Sequence, residues 1–113
     1  MHEMALAQGI VDLIADEARK QSFALVKTVR LEIGALAHVE PEALRFCFDA
    51  VARGTLAEGA GLDILSAPGE AWCFDCSAPV AVYERFGACP ACGGFRLQVT
   101  TGGEMQVKEL EVE

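Results

Sequence analysis

Two Cys-x-x-Cys pairs, Cys73-Phe-Asp-Cys76 and Cys89-Pro-Ala-Cys92, separated by the twelve residues 77–88, constrain this chain more than any other feature. A tight turn with two cysteines presents two sulfurs to one edge of a tetrahedral ion, each at about 2.3 Å, and a second turn supplies the opposite edge. Zinc is the expected occupant, held as a closed four-thiolate ion with a structural role and no position left for a water. A rubredoxin-type iron site uses similar pairs and would colour the protein red. Few aliphatic residues lie between Gly69 and Phe95. Residues 69–95 are therefore expected to form an inserted zinc-ribbon module ordered by its metal, with a strand near Val80–Tyr83 and sharp turning allowed by Gly93 and Gly94.

Outside that stretch the pattern is one of ordinary apolar packing. From Met4 to Gln21 apolar residues recur at helical spacing in two adjoining rows, Leu6, Ile10, Leu13 and Ala7, Val11, Ile14, Ala18, which predicts a helix with a broad buried side. Leu25 to Ile33 changes to period two, with Val29, Leu31 and Ile33 on one face and Thr28, Arg30 and Glu32 on the other, the signature of a strand. Pro41 suits the first turn of a second helix, Leu44, Cys47, Phe48 and Val51 form its stripe, and Gly54 stands where it should stop. Cys47 on that stripe reads as a small buried hydrophobe. A short strand over Leu62–Ala67 ends at Pro68 and Gly69.

The closing stretch, Glu104 to Val112, has strand composition, but its apolar parity changes between Met105, Val107 and Leu110, Val112. Strict alternation forbids that unless a bulge intervenes or both faces are partly covered. The expected fold class is α+β: two helices packed on a small mixed sheet, with the zinc ribbon inserted. A discontinuous α/β domain, 1–68 and 96–113, would surround the zinc-binding domain, 69–95.

Charge narrows the function. The formal net charge of −8 opposes nucleic-acid binding, which rests on Lys and Arg displacing counterions from phosphates. No apolar run reaches the roughly 18–20 residues of a membrane span, and no secretion signal is evident. A cytoplasmic protein with no nucleic-acid or membrane partner is expected, and five cysteines in such a chain point to metal or thiol chemistry rather than disulfides. No nucleophile with a plausible base, phosphate-binding glycine loop or open zinc ligand set is present, so an enzyme is not expected.

The chain opens Met1-His2-Glu3. The bulky His2 should protect the initiator methionine from removal. The α-amine, the His2 amide nitrogen and the His2 Nδ1 can then close chelate rings around one ion nearly in a plane, a nitrogen-rich geometry suited to Ni(II) or Cu(II). The Glu3 amide or carboxylate, His38 or Glu40 could complete the set. By spacing alone, a histidine at position 2 is more often an incidental exposed residue than a ligand, and His38 likewise reads as a solvated loop residue.

Taken together, Met1-His2-Glu3-Met4, the Val29–Gly34 strand, Val39-Glu-Pro-Glu-Ala-Leu44-Arg-Phe46-Cys-Phe48, the two cysteine pairs and Gly103-Glu-Met-Gln-Val-Lys108 make the chain resemble the hydrogenase and urease nickel-insertion accessory proteins of the HypA/HybF family, in order and over nearly its whole length. That resemblance implies Ni2+ as transported cargo bound through Met1 and His2 with Glu3 adjoining, and structural Zn2+ on Cys73, Cys76, Cys89 and Cys92. It also implies a nickel metallochaperone that docks to a nickel-loading GTPase and delivers to the large subunit precursor of a nickel-iron hydrogenase, or to urease. His38 departs from the small residue common at that place in the family. The competing reading is a zinc-ribbon protein-binding adaptor without nickel transfer.

Overall fold

A computed structural model describes residues 2–113, in the order α1 (Glu3–Gln21), β1 (Val26–Gly34), α2 (Pro41–Ala52), β2 (Gly61–Ala67), β3 (Gly69–Cys73), β4 (Ala78–Val82), β5 (Leu97–Thr101) and β6 (Met105–Val112). The strands form two three-stranded sheets, ordered β2-β1-β6 and β4-β3-β5. The chain divides into two compact units. The first takes the stretch up to Leu31, Val39–Ile64 and Val107–Glu113, and the second takes Glu32–His38 and Leu65–Gln106.

The first unit is built as apolar periodicity dictates. Helices α1 and α2 pack on each other, and Ile10, Ile14, Val26, Val29, Leu31, Leu44 and Phe48 are fully buried. Removing one such side chain from water is worth about 2–3 kcal/mol, so this unit has an apolar driving force of its own. Pro41 sits at the start of α2 as expected, and the Glu40 side chain accepts from the amides of Glu42 (3.2 Å) and Ala43 (2.7 Å), capping the helix. Gly54 follows α2 with φ +77°, a left-handed conformation that suits glycine.

On the polar side of the sheet, Arg30 in β1 lies between Asp63 of β2 (3.5 Å) and Glu109 of β6 (3.0 Å), and Thr28 donates to Glu111 (3.1 Å). Cross-strand charge pairing of this kind fixes the register of a three-stranded sheet more than it stabilises it. Leu13, placed by periodicity on the buried side, is 41% exposed and lines an open groove with Phe23, Leu110 and Val112. The buried stripe of α1 is thus narrower than its apolar pattern. In β6, Met105, Val107 and Leu110 are half-buried, with two consecutive exposed residues, Lys108 and Glu109, where the phase slips.

The second unit has a much smaller core: Leu36, Ala71 and Val82, with Val80, Leu97 and Val99 packed against them. Strand β3 is its centre. It pairs antiparallel with β4 (Gly69 opposite Val82, Cys73 opposite Ala78) and with β5 (Cys73 opposite Leu97, Glu70 opposite Thr101, with an irregularity at Glu70/Ala71). Gly69 therefore opens a strand where a terminator was expected, and β5 is a strand that composition did not reveal. With β5 and the segment Glu32–His38, this unit reaches beyond residues 69–95. Leu36 is threaded into it by its amide bond to the Gly102 carbonyl (2.9 Å). Gly102 has φ +125°, and a Cβ there would come within 2.6 Å of the Gly69 Cα, so only glycine fits this crossing.

Candidate metal centres

Strand β3 alternates buried Gly69, Ala71 and Cys73 with exposed Glu70 and Trp72, delivering the Cys73 sulfur to the inside of the unit. Beyond each pair the chain reverses through a left-handed residue, Ser77 (φ +53°) after Cys76 and Gly93 (φ +74°) after Cys92. The two knuckles thus share this left-handed exit, although only the second shows it in sequence. Serine at the first hides the signal. Gly94 is needed for contact rather than φ: a Cβ there would lie 2.7 Å from Asp75 Oδ2 and 3.4 Å from the Cys92 sulfur. Asp75 in turn pairs with Arg96 (3.1 Å), and the Phe74 amide donates to the Arg96 carbonyl (2.9 Å). These contacts tie the first knuckle to the strand leaving the second.

The four sulfurs of Cys73, Cys76, Cys89 and Cys92 converge, all within 4.8 Å of one another. Cys73 and Cys92 are 3.7 Å apart, and Cys76 and Cys89 are 3.9 Å apart. A tetrahedron with metal–sulfur bonds of about 2.3 Å has edges of about 3.8 Å, so this donor set fits one zinc-sized ion. All four are free of disulfides. The Cys76 amide points at the Cys73 sulfur (3.3 Å) and the Ala91 amide at the Cys89 sulfur (3.4 Å), the polarity that a thiolate, not a thiol, calls for.

Backbone donation from Cys92 and Ala91 draws the Cys89 thiol down to about 7, while the adjoining thiols of Cys92 and Cys73 push Cys76 up to about 12. Four sulfurs this close cannot all shed protons unless a cation compensates them, so metal uptake here is coupled to proton release.

The amino-terminal residues present a different chemistry. Met1 lies outside the described residues. His2 is exposed at the N-cap of α1, its imidazole makes no capping bond, and its carbonyl accepts the first helical hydrogen bond from Leu6 (3.0 Å). The amides of His2 and Glu3 precede that bond and so have no helical acceptor. Glu3, by contrast, is only 8% exposed. Its carboxylate accepts from the Glu40 amide (3.3 Å). Those bonds, from Glu40 first and then from its own amide, hold its carboxyl below the ordinary 4.5.

Glu40, considered from sequence as a possible ligand, has its carboxylate committed to the α2 cap. The pairing of Glu3 with the residue ahead of α2 was not foreseen, and only the Glu-Pro start of that helix hints at it. His38 is exposed with φ +55°, and Cys47 is buried on α2 as a small apolar residue. Among the described residues, the four cysteines are the one set of three or more metal-ligating side chains that converges, and no helix is long and apolar enough to cross a membrane.

Over residues 1–112 the chain matches the family described as "Hydrogenase/urease nickel incorporation, metallochaperone, hypA". It is 61% identical to the hydrogenase maturation factor HypA of Azotobacter chroococcum mcd 1 and 58% identical to the hydrogenase maturation factor HypA 2 of Bradyrhizobium diazoefficiens, each over 113 residues and the whole of both chains. Its fold superposes on the solution structure of the Ni metallochaperone HypA from Helicobacter pylori with a TM-score of 0.71 at 25% identity, covering 99% of this chain and 97% of that one.

Proposed function

Because the chain belongs to the HypA family of hydrogenase and urease nickel-incorporation metallochaperones, we propose that it binds Ni(II) at its amino terminus through Met1, His2 and Glu3 and delivers it during maturation of a nickel-iron hydrogenase. One observation carries the site: His2 stands exposed at the helix start, its imidazole making no capping bond, where the first amides of α1 have no helical acceptor. An amide in that position can exchange its proton for a metal without breaking a helical hydrogen bond. The positive end of the α1 dipole repels a free cation but favours the anionic amide nitrogen that nickel binding creates. The Glu3 carboxylate, held by Glu40, contributes negative charge beside the site. Glu3 in this reading ligates through its backbone rather than its side chain.

Zinc, bound by Cys73, Cys76, Cys89 and Cys92, supplies a fixed cross-link between the knuckles and no reaction. In this reading the first unit is the nickel-binding domain and the second the zinc-binding domain, in a cytoplasmic protein with no activity of its own. A nickel-loading GTPase and the hydrogenase large subunit precursor are its partners, with urease as a further recipient. Nickel at an exposed terminus can be passed on with little movement of the core, whereas four-thiolate zinc stays where it is.

The test is to extend the chain by a few residues before Met1 and measure nickel binding by calorimetry beside the untagged protein. Weaker nickel binding with unchanged zinc content is expected, because the α-amine has moved away. Equal affinity in the two proteins would remove the amine from the site, and no nickel binding by either would leave the adaptor reading.

A further inference from the structure

The second unit leaves one side of its small core uncovered. Strand β5 lies at the end of the sheet order β4-β3-β5, so its outer row of amides and carbonyls has no strand partner within the described residues. Along it runs an open groove of about 510 Å3, lined by Phe95, Leu97, Gln98 and Val99 from the β5 side and by Arg85, Phe86 and Gly87 opposite. Leu97 and Val99 are half-buried against the core. The two phenylalanines at its margins are displayed to solvent, Phe86 at 93% and Phe95 at 74% exposed. None of these side chains belongs to the cysteine cluster or to the amino terminus.

Three features bear on the occupant. An unpaired strand edge beside alternating apolar side chains accepts an extended backbone as a further strand. Aromatic side chains at such a groove act as anchors for a partner's apolar residues. Arg85 is the single charged residue of the lining. Its one hydrogen bond among the described residues is a long one, 3.4 Å to the Leu36 carbonyl, which leaves most of its guanidinium donors for a carboxylate. A second copy meeting this edge through its own β5 is disfavoured because each lining would bring Arg85 and no carboxylate to answer the other's.

We propose that this groove binds an extended acidic segment of another protein, added alongside β5, with its carboxylate on Arg85 and its apolar side chains against Phe86, Phe95 and Leu97. The surface is independent of nickel binding. It makes the zinc-bearing unit a recognition element as well as a folded support.

The experiment uses the full-length, zinc-loaded, isotope-labelled protein. It is titrated with two short peptides of alternating valine and threonine, one ending in two glutamates and the other in two lysines. The glutamate peptide is expected to bind about tenfold or more tightly than the lysine peptide, to shift the resonances of Arg85, Phe86 and Phe95, and to protect amides of Leu97–Thr101 from exchange. Arg85→Glu should invert the preference. Phe86→Ser, at a position too exposed to affect folding, should weaken both peptides while zinc content stays the same. Absence of binding, equal affinity for the two peptides, or shifts confined to other surfaces would overturn the proposal. So would the same shifts appearing on raising protein concentration without peptide, which would give the edge to a second copy.

Discussion

The two units solve the problem of cohesion differently. In the first, two helices and a sheet bury seven large aliphatic or aromatic side chains almost completely. In the second, the buried aliphatic set is Leu36, Ala71 and Val82, and apart from Cys73 at the end of β3 both knuckles are turn or loop. The first unit thus has an extended apolar core to cohere by, and the second has only a fragment of one. There four converging cysteine sulfurs could supply the missing cohesion through a bound metal. Under the proposed function the difference teaches that the two metal sites would ask opposite things of the chain: the cysteine site permanence, because a fold hangs on it, and the amino-terminal site release, because little else depends on it.

The largest effect should come from removing one sulfur. Cys73→Ser replaces the most deeply placed ligand, and structural zinc is worth about 10–16 kcal/mol in small zinc-dependent folds at neutral pH. Zinc is expected to be lost and the amide spectrum of Leu65–Gln106 to collapse, while the helical circular dichroism of α1 and α2 persists. If both units melt together, or if the second stays ordered without metal, the contrast drawn between them fails.

Phe48→Ala tests the other half. Truncating this fully buried residue should cost about 3–5 kcal/mol in urea unfolding of the helical signal, with one zinc still bound per chain. Zinc loss in that variant would mean that the two units do not keep their cohesion separate.

Glu3 gives the smallest effect and the one with a definite pH dependence. Its carboxyl is held below 4.5 in the folded chain by the amides of Glu40 and of Glu3 itself. Ionised Glu3 therefore stabilises the fold fully above about pH 4.5, and that contribution fades as pH falls through its lowered folded value. Glu3→Gln should flatten the loss of helical stability below pH 4.5 in urea titrations at successive pH values. An unchanged slope would show that the Glu3–Glu40 contact carries no linkage.

Legibility in the sequence follows the same division. Helices α1 and α2 and strand β1 were readable because apolar burial imposes a period, and the residues that keep it, Ile10, Ile14, Val29, Leu31, Leu44 and Phe48, are those the fold buries. The four-cysteine cluster was readable because ligand spacing is a local property, and its sulfurs meet as the spacing requires. Strands β3 and β5 were not. Gly69-Glu-Ala-Trp-Cys73 and Leu97–Thr101 are short, and the faces they bury consist of small or few apolar side chains, Gly69, Ala71 and Cys73 in one and Leu97 and Val99 in the other, too little to announce a strand.

Leu13 was misplaced because period alone does not say how wide a neighbour's cover is. The Glu3–Glu40 hydrogen bond joins residues far apart in sequence through a backbone donor, and no side-chain pattern encodes it. Ser77 adopts the left-handed turn that Gly93 announces, a case in which tertiary demand overrides the usual residue preference.

The most direct test of the account measures both metals at once, in untagged protein and in His2→Ala, after saturation with nickel and removal of excess ion. One zinc and one nickel per chain are expected in the unaltered protein, and one zinc with no nickel in the variant, its amide spectrum otherwise preserved. Equal nickel in both proteins, or nickel gained only as zinc is displaced from the cysteines, would contradict the separation of a permanent sulfur site from a releasable nitrogen site.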